Sequence, residues 1–210
     1  MNRCKPVARC ILEVERKFQS LAVRELTTAN GDPPFHRIQS LGQHTFRDIY
    51  YDRAGLLSSA GVWVRQRNGA WQGKVKRGGN FTNSRFEELS HPHQISECLK
   101  DITGVVSTEQ DLFGLKRIAA LSTTRKAWRA DDEFTIVLDT TDFGHTVGEV
   151  ELQQELSLEE TRGACIEEQK QRIMQEMDER IARFMEHYSW AFRSGLPIGK
   201  LTAYFAHRGT

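Results

Sequence analysis

Apolar and charged residues alternate at period two in several separated stretches of this chain. Two of them are Ile11-Leu12-Glu13-Val14-Glu15-Arg16-Lys17-Phe18 and Val147-Gly148-Glu149-Val150-Glu151-Leu152. Side chains of a β-strand point alternately to its two faces, so Glu13, Glu15 and Lys17 share one face, as do Glu149 and Glu151. The pattern recurs with opposite sign at 62–67, where Arg65 and Arg67 share a face with Trp63 while Val62 and Val64 point away. Lys74 and Lys76 keep the same spacing. An ordinary half-buried sheet holds apolar residues inside and charge outside, and any one of these strands would suit an open sheet with a solvated face. Together, with apolar residues always on the alternate face, acidic and basic strands answer one another across a common space. The pattern predicts a barrel lined with charge.

The same reading places strands at 11–18, 43–52, 61–68, 70–76, 84–90, 121–129, 133–142 and 145–156. Arg67-Asn68-Gly69-Ala70 is expected to be a tight hairpin turn and Arg77-Gly78-Gly79-Asn80 a flexible connection. Short helices are predicted at 20–28, ended by Asn30-Gly31-Asp32-Pro33-Pro34, and at 94–102 and 108–119. From 157 to 188 the pattern changes to a long helix. Ser157 and Glu160 resemble a capping box, and Ile166, Ile173, Met177, Ile181, Phe184 and Tyr188 fall on one stripe suited to pack against the barrel's exterior. Gly195-Leu196-Pro197 breaks that helix, and 198–206 forms a last short one. The fold class is therefore α+β, an eight-stranded antiparallel barrel with helices packed outside and one domain over 1–210.

Composition narrows the chemistry. Lys plus Arg number 29 against 28 Asp plus Glu, a formal charge of +1, so no global field points to nucleic acid or an anionic membrane. Cys4, Cys10, Cys98 and Cys165 show no CxxC spacing, and no apolar run resembles a signal peptide or a membrane span. Reduced thiols, a cytoplasmic location and a monomer are expected. Desolvating a carboxylate or ammonium costs on the order of several kcal/mol per ion, so a dozen such groups need a wet cavity and an ionic ligand to complete their pairing. Sharing the presumed interior are the acids Glu13, Glu15, Glu88, Asp139, Glu149 and Glu151, and the bases Lys17, Arg65, Arg67, Lys74, Arg125 and Lys200. Opposing charges in one cavity suit an anionic ligand that arrives with divalent cations: acids hold the hard metal while bases grip phosphate oxygens.

Five ordered blocks give the chain a family resemblance. Glu13-Val14-Glu15-Arg16-Lys17 matches an ExExK signature, and the five blocks follow it: Phe46 to Asp52, Trp63 to Arg67, Trp71 to Lys74, Asp139 to Gly144 and Gly148 to Glu151. In these the chain resembles the triphosphate tunnel metalloenzymes, or CYTH superfamily, and within them the thiamine triphosphatase branch. The resemblance implies an eight-stranded tunnel that hydrolyses or rearranges triphosphates with magnesium or manganese. It implies metal binding by Glu149 and Glu151 with help from Glu13 and Glu15, and Asp139 joins that set. Lys17, Arg65, Arg67, Lys74, Arg125 and Lys200 match phosphate-gripping positions, with Glu88 in the same substrate-binding set. Tyr50 and Lys74 match a pair that activates the attacking water, for which cations crowding the lysine would lower its pKa. Trp63 matches a tryptophan that stacks on the thiamine moiety.

One departure stands out. The branch pattern has an acid two residues before the position of Asp139, where this chain has Val137. Lys76 lies outside the pattern and is expected on a solvated face, His145 is expected in a turn, and His91 and His93 flank Pro92 as a weak metal signal. The leading function is magnesium-dependent hydrolysis of thiamine triphosphate to thiamine diphosphate and phosphate. The alternatives are an inorganic triphosphatase, more distantly an adenylyl cyclase, and a polyphosphate- or nucleotide-binding module without turnover.

Overall fold

The computed structural model describes residues 9–157, 166–193 and 195–209. Its strands are β1 (Arg9–Phe18), β2 (Ser20–Leu21), β3 (Ile38–Asp52), β4 (Val62–Arg67), β5 (Ala70–Gly79), β6 (Asn83–Leu89), β7 (Lys116–Ala130), β8 (Phe134–Thr141), β9 (Thr146–Ser157) and β10 (Phe192–Arg193). Eight of them close in the order β1-β6-β5-β4-β3-β7-β8-β9, and every neighbouring pair is antiparallel. The helices are α1 (Leu56–Ser59), α2 (Pro92–Thr103), α3 (Ile166–His187) and α4 (Lys200–Arg208). Among the described residues no helix is long and apolar enough to cross a membrane.

A charged interior forces the apolar core to the outside of the barrel. Leu12, Val14 and Phe18 of β1 turn away from the lumen and join Ile136, Val150 and Leu152 beneath α3, which contributes Met174, Met177, Ile181 and Phe184. Each of these large side chains stabilises the fold by roughly 1.5–3 kcal/mol on burial. A second cluster, built on Tyr51, Val62 and Val64, receives Ile95 and Leu99 of α2. Gly148 is required where β9 crosses Phe18, because a Cβ there would lie 2.1 Å from the phenyl ring. At the β4–β5 turn Asn68 and Gly69 take φ 48° and 87°, the left-handed pair that a two-residue hairpin demands.

Three local expectations are corrected. Residues 20–28 are not helical: β2 pairs with β10, and Leu21 of β2 joins Val23 and Leu26 from the irregular segment after it in packing on the first core cluster. At 108–119 a short 3-10 stretch, Glu109–Gly114, stops where Leu112 and Phe113 take φ 55° and 56°, and β7 begins at Lys116. The pairing of β7 with β3 outweighs the helical preference of Ala119 and Ala120. The expected flexible connection at 77–80 is mostly strand, since β5 runs to Gly79 with a register shift between Lys76 and Gly78. The capping box at Ser157 rests on Glu160, which lies outside the described residues, as do Cys4 and Cys165.

An ionic clamp ties α3 to the barrel. Lys170 Nζ donates to both Glu87 carboxylate oxygens, at 3.0 and 3.1 Å, and Arg77 reaches the same group at 2.7 Å. Burial opposes the Glu87 charge, but Lys170 and Arg77 hold its carboxyl below the ordinary range. That stabilisation is present above the unfolded glutamate pKa of about 4.3 and is lost as pH falls through the lower folded value. Glu87→Gln is expected to cost about 1.5–3 kcal/mol in urea unfolding at pH 7 and to lose less stability than the parent on acidification. Equal unfolding midpoints at pH 7 would remove the clamp from the account. Cys10, buried beside it, has its thiol pushed up to about 12 by burial and by Glu87, so it is unreactive.

Candidate active site

Residues directly opposite one another on neighbouring strands share a face, so the registers fix what meets inside the barrel. Between β1 and β9, Glu15 lies opposite Glu151, Lys17 opposite Glu149, and Glu13 opposite Gln153. Trp63 and Lys74 are partners, Lys74 is partnered in turn by Glu88, and Arg65 lies between Gln72 and Tyr50. Arg125 faces Asp139 across β7 and β8. At the end where β5 turns into β6, the start of α4 delivers Lys200. All of these groups but Asp139 line a cavity of about 370 Å3, and Asp139 is bound to two of its lining residues, Arg125 and Lys200.

Inside, charges are paired tightly. Lys74 bonds Glu13 and stands 3.6 Å from Glu15 and 3.7 Å from Glu88. Lys17 bonds Glu15 and lies 3.3 Å from Glu149. Arg125 grips Asp139 through two hydrogen bonds of 2.7 and 2.8 Å and stands 3.9 Å from both Glu149 and Glu151. The acids nevertheless exceed what these bases neutralise at one point. Burial, with Glu13 and Glu149 nearby, pushes Glu151 up to about 8 in spite of Arg125. Glu15 is raised by burial and by Glu149. Burial also opposes ionisation of Glu13 and Glu149, but Lys74 holds the first, and Lys17 with Lys200 the second, below the usual carboxylate range.

That excess marks a place for a cation. One carboxylate oxygen from each of Glu13, Glu15 and Glu151 can be chosen so that all lie within 4.8 Å of one another. Clustered anionic oxygens are the donors a hard divalent ion takes, and such an ion would relieve the repulsion that raises Glu15 and Glu151. Glu149 borders this group through Lys17. Asp139 is engaged elsewhere: its carboxylate accepts from Arg125 and Lys200. Val137 is buried opposite Glu149, so the departure from the branch pattern removes a carboxylate beside that residue.

Tyr50 lines the cavity and its hydroxyl stands 3.5 Å from Arg65 Nη1. The expected depression of the Lys74 pKa is not found. Burial works against the Lys74 charge, but Glu13 and Glu15 hold its pKa above the ordinary lysine value, so it acts as an ammonium. Trp63 borders the cavity with its edge against Phe86, ring centroids 5.7 Å apart and planes at 90°. Its other neighbour is a second, mostly apolar cavity of about 360 Å3 that shares Tyr50, Trp63 and Leu201.

Sequence reasoning missed Asp48. It is fully buried and accepts two 2.8 Å hydrogen bonds from Arg67, with Arg65 3.6 Å away, so it orients both guanidinium groups. The available signal was its two-residue spacing from Tyr50 within a strand already assigned. Lys76 is corrected from a solvated face to the cavity wall. His145 lies in the β8–β9 turn, its ring 2.7 Å from the Ile198 carbonyl, while His91 caps α2 and His93 pairs with Glu97, and neither joins a metal-binding group among the described residues.

No family model matches the chain. Thiamine-triphosphatase from Homo sapiens is 32% identical over 169 residues, spanning 69% of this chain and 69% of that protein. The Macaca fascicularis thiamine-triphosphatase matches at 32% over 169 residues, with the same shares. Among solved structures, the protein PH1819 from Pyrococcus horikoshii OT3 has a TM-score of 0.55 at 17% identity, over 92% of this chain and 98% of that one. A putative adenylyl cyclase from Hippeastrum, described as having a dominant triphosphatase activity, has a TM-score of 0.54 at 16% identity, over 93% of this chain and 95% of that one. At these identities the two structures share the fold with this chain.

Proposed function

Because the chain belongs to the thiamine-triphosphatase family, we propose that it hydrolyses thiamine triphosphate to thiamine diphosphate and phosphate inside the charged barrel. The observation that carries this reading is the pairing of a clustered, buried acidic group with a ring of half-buried bases in one cavity large enough for a triphosphate. Lys17, Arg65, Arg67, Lys74, Arg125 and Lys200 bind phosphate oxygens, Arg through planar forks and Lys as point charges. When bound, magnesium or manganese held by Glu13, Glu15 and Glu151, with Glu149 beside them, would polarise phosphoryl oxygens and neutralise the charge that develops on them.

Water attacks the terminal phosphorus in line with the departing diphosphate, and catalysis is mainly positioning and electrostatics. Lys74, held as an ammonium by Glu13, stabilises charge on the transferred group, and the Tyr50 hydroxyl helps orient the water. Asp139 holds Arg125 and Lys200 in place, and Glu88 restrains Lys74. The unpaired thiols of Cys10 and Cys98 support a reducing, cytoplasmic setting. A phosphate-release assay with thiamine triphosphate, inorganic triphosphate and ATP, with and without magnesium, tests the reading. Thiamine triphosphate is expected to turn over fastest and only with metal; a clear preference for inorganic triphosphate would move the assignment to that substrate.

Trp63 supplies the preference for the organic group through stacking on its cationic ring. Trp63→Ala is expected to lower kcat/KM for thiamine triphosphate by an amount on the order of 1–2 kcal/mol while inorganic triphosphate, which has no ring, changes much less. Equal losses on both substrates would make Trp63 a packing residue.

A further inference from the structure

Seven cationic side chains line the charged cavity, and six of them are paired with carboxylates. Lys76 is the exception among the described residues. Its Nζ donates to the Asn80 carbonyl at 3.3 Å and has no carboxylate partner. Its backbone is fixed, since the amide donates to Gly61 at 2.8 Å and the residue is partnered with Phe86 on β6. Lys76 therefore shares the inward face with Lys74 and lies two residues further along β5, roughly 6.8 Å nearer the Asn80 turn. Phe81, half exposed, and Gly199 edge the cavity at that end.

We propose that Lys76 is a further phosphate-binding residue, holding the phosphate nearest the cavity mouth, the one bonded to the organic group of the substrate. It lies outside the positions that the family resemblance assigns to phosphate. The six paired bases must exchange a carboxylate for a phosphate oxygen when substrate arrives, so part of each new contact is offset by the ion pair given up. Lys76 gives up only a long hydrogen bond to a neutral carbonyl. Its flexible stem and rotatable ammonium can follow a phosphate without rearranging the wall. An unneutralised cation two residues outward from Lys74 continues the row of bases along the direction in which a polyphosphate chain runs to the mouth. The inference rests on the triphosphatase reading for its substrate but not for its test.

The experiment compares the parent with Lys76→Met and Lys76→Arg. Lys76→Met is expected to raise KM for thiamine triphosphate roughly tenfold while kcat stays within about twofold, the signature of lost uniform binding. Lys76→Arg restores most of the loss, and neither variant melts differently from the parent, which a structural role would not allow. Binding of inorganic triphosphate is measured in parallel by calorimetry, with no turnover required, and weakens in Lys76→Met by a similar factor. If the parent cleaves no triphosphate, the hydrolase reading fails and the calorimetric comparison alone decides on Lys76. An unchanged affinity and KM in Lys76→Met, or an equal loss in Lys76→Arg, overturns the proposal.

Discussion

Glu151→Gln and Glu15→Gln are each expected to reduce metal-dependent hydrolysis of thiamine triphosphate at least about a hundredfold, close to 2.7 kcal/mol of transition-state stabilisation. The amide keeps the shape of the carboxylate but not the charge that a hard cation requires. Stability should move the other way. Glu151 is pushed up to about 8 because its charge is buried beside Glu13 and Glu149, so the metal-free fold is strained at neutral pH, where it must take up a proton that the unfolded chain does not hold. A neutral Gln removes that strain, and the metal-free variant should melt no lower than the parent. Loss of activity with retained or raised melting temperature separates a functional acid from a structural one. Calorimetric titration with magnesium supplies the second readout, with weaker binding in both variants. Full activity in both would remove Glu13, Glu15 and Glu151 as the metal group.

Much of this site could be read from period two alone. Glu13, Glu15 and Lys17 on one strand, Arg65 and Arg67 on another, declare an inward polar face because Leu12, Val14, Val62 and Val64 occupy the opposite one. Which acid meets which base could not be read, since it depends on pairings such as β1 with β9 between residues far apart in sequence. Glu149 and Glu151 look equivalent in the chain. Only the registers show that Lys17 stands opposite the first, where it helps lower the carboxyl, while the second lies opposite Glu15 and is raised by burial with Glu13 and Glu149 nearby. Lys76 was misjudged although it keeps the two-residue spacing from Lys74: it stood at the predicted end of its strand and outside the family pattern, whereas β5 continues past it to Gly79 and carries it along the lumen.

Asp48 was hidden because an acid flanked by Arg47 and Ile49 in a half-polar strand reads as a surface residue, and its removal should give the largest loss of stability. Asp48→Asn leaves Arg65 and Arg67 in the barrel wall without their shared carboxylate. Breaking a buried ion pair from one side costs about 3–5 kcal/mol, and the full burial of Asp48 with only slight exposure of both guanidinium groups places this case within that range. Chemical denaturation should show the loss directly. Substrate offers a second measure, because the two freed guanidinium groups face the cavity and can take an anion in place of the missing carboxylate. Inorganic triphosphate should therefore raise the melting temperature of Asp48→Asn by more than it raises that of the parent, through binding linked to folding. Turnover should still fall, since the bidentate bonds of 2.8 Å that aim Arg67 are gone. A variant as stable as the parent, or one that gains no more from triphosphate than the parent does, would mean that Arg65 and Arg67 are positioned by something other than Asp48.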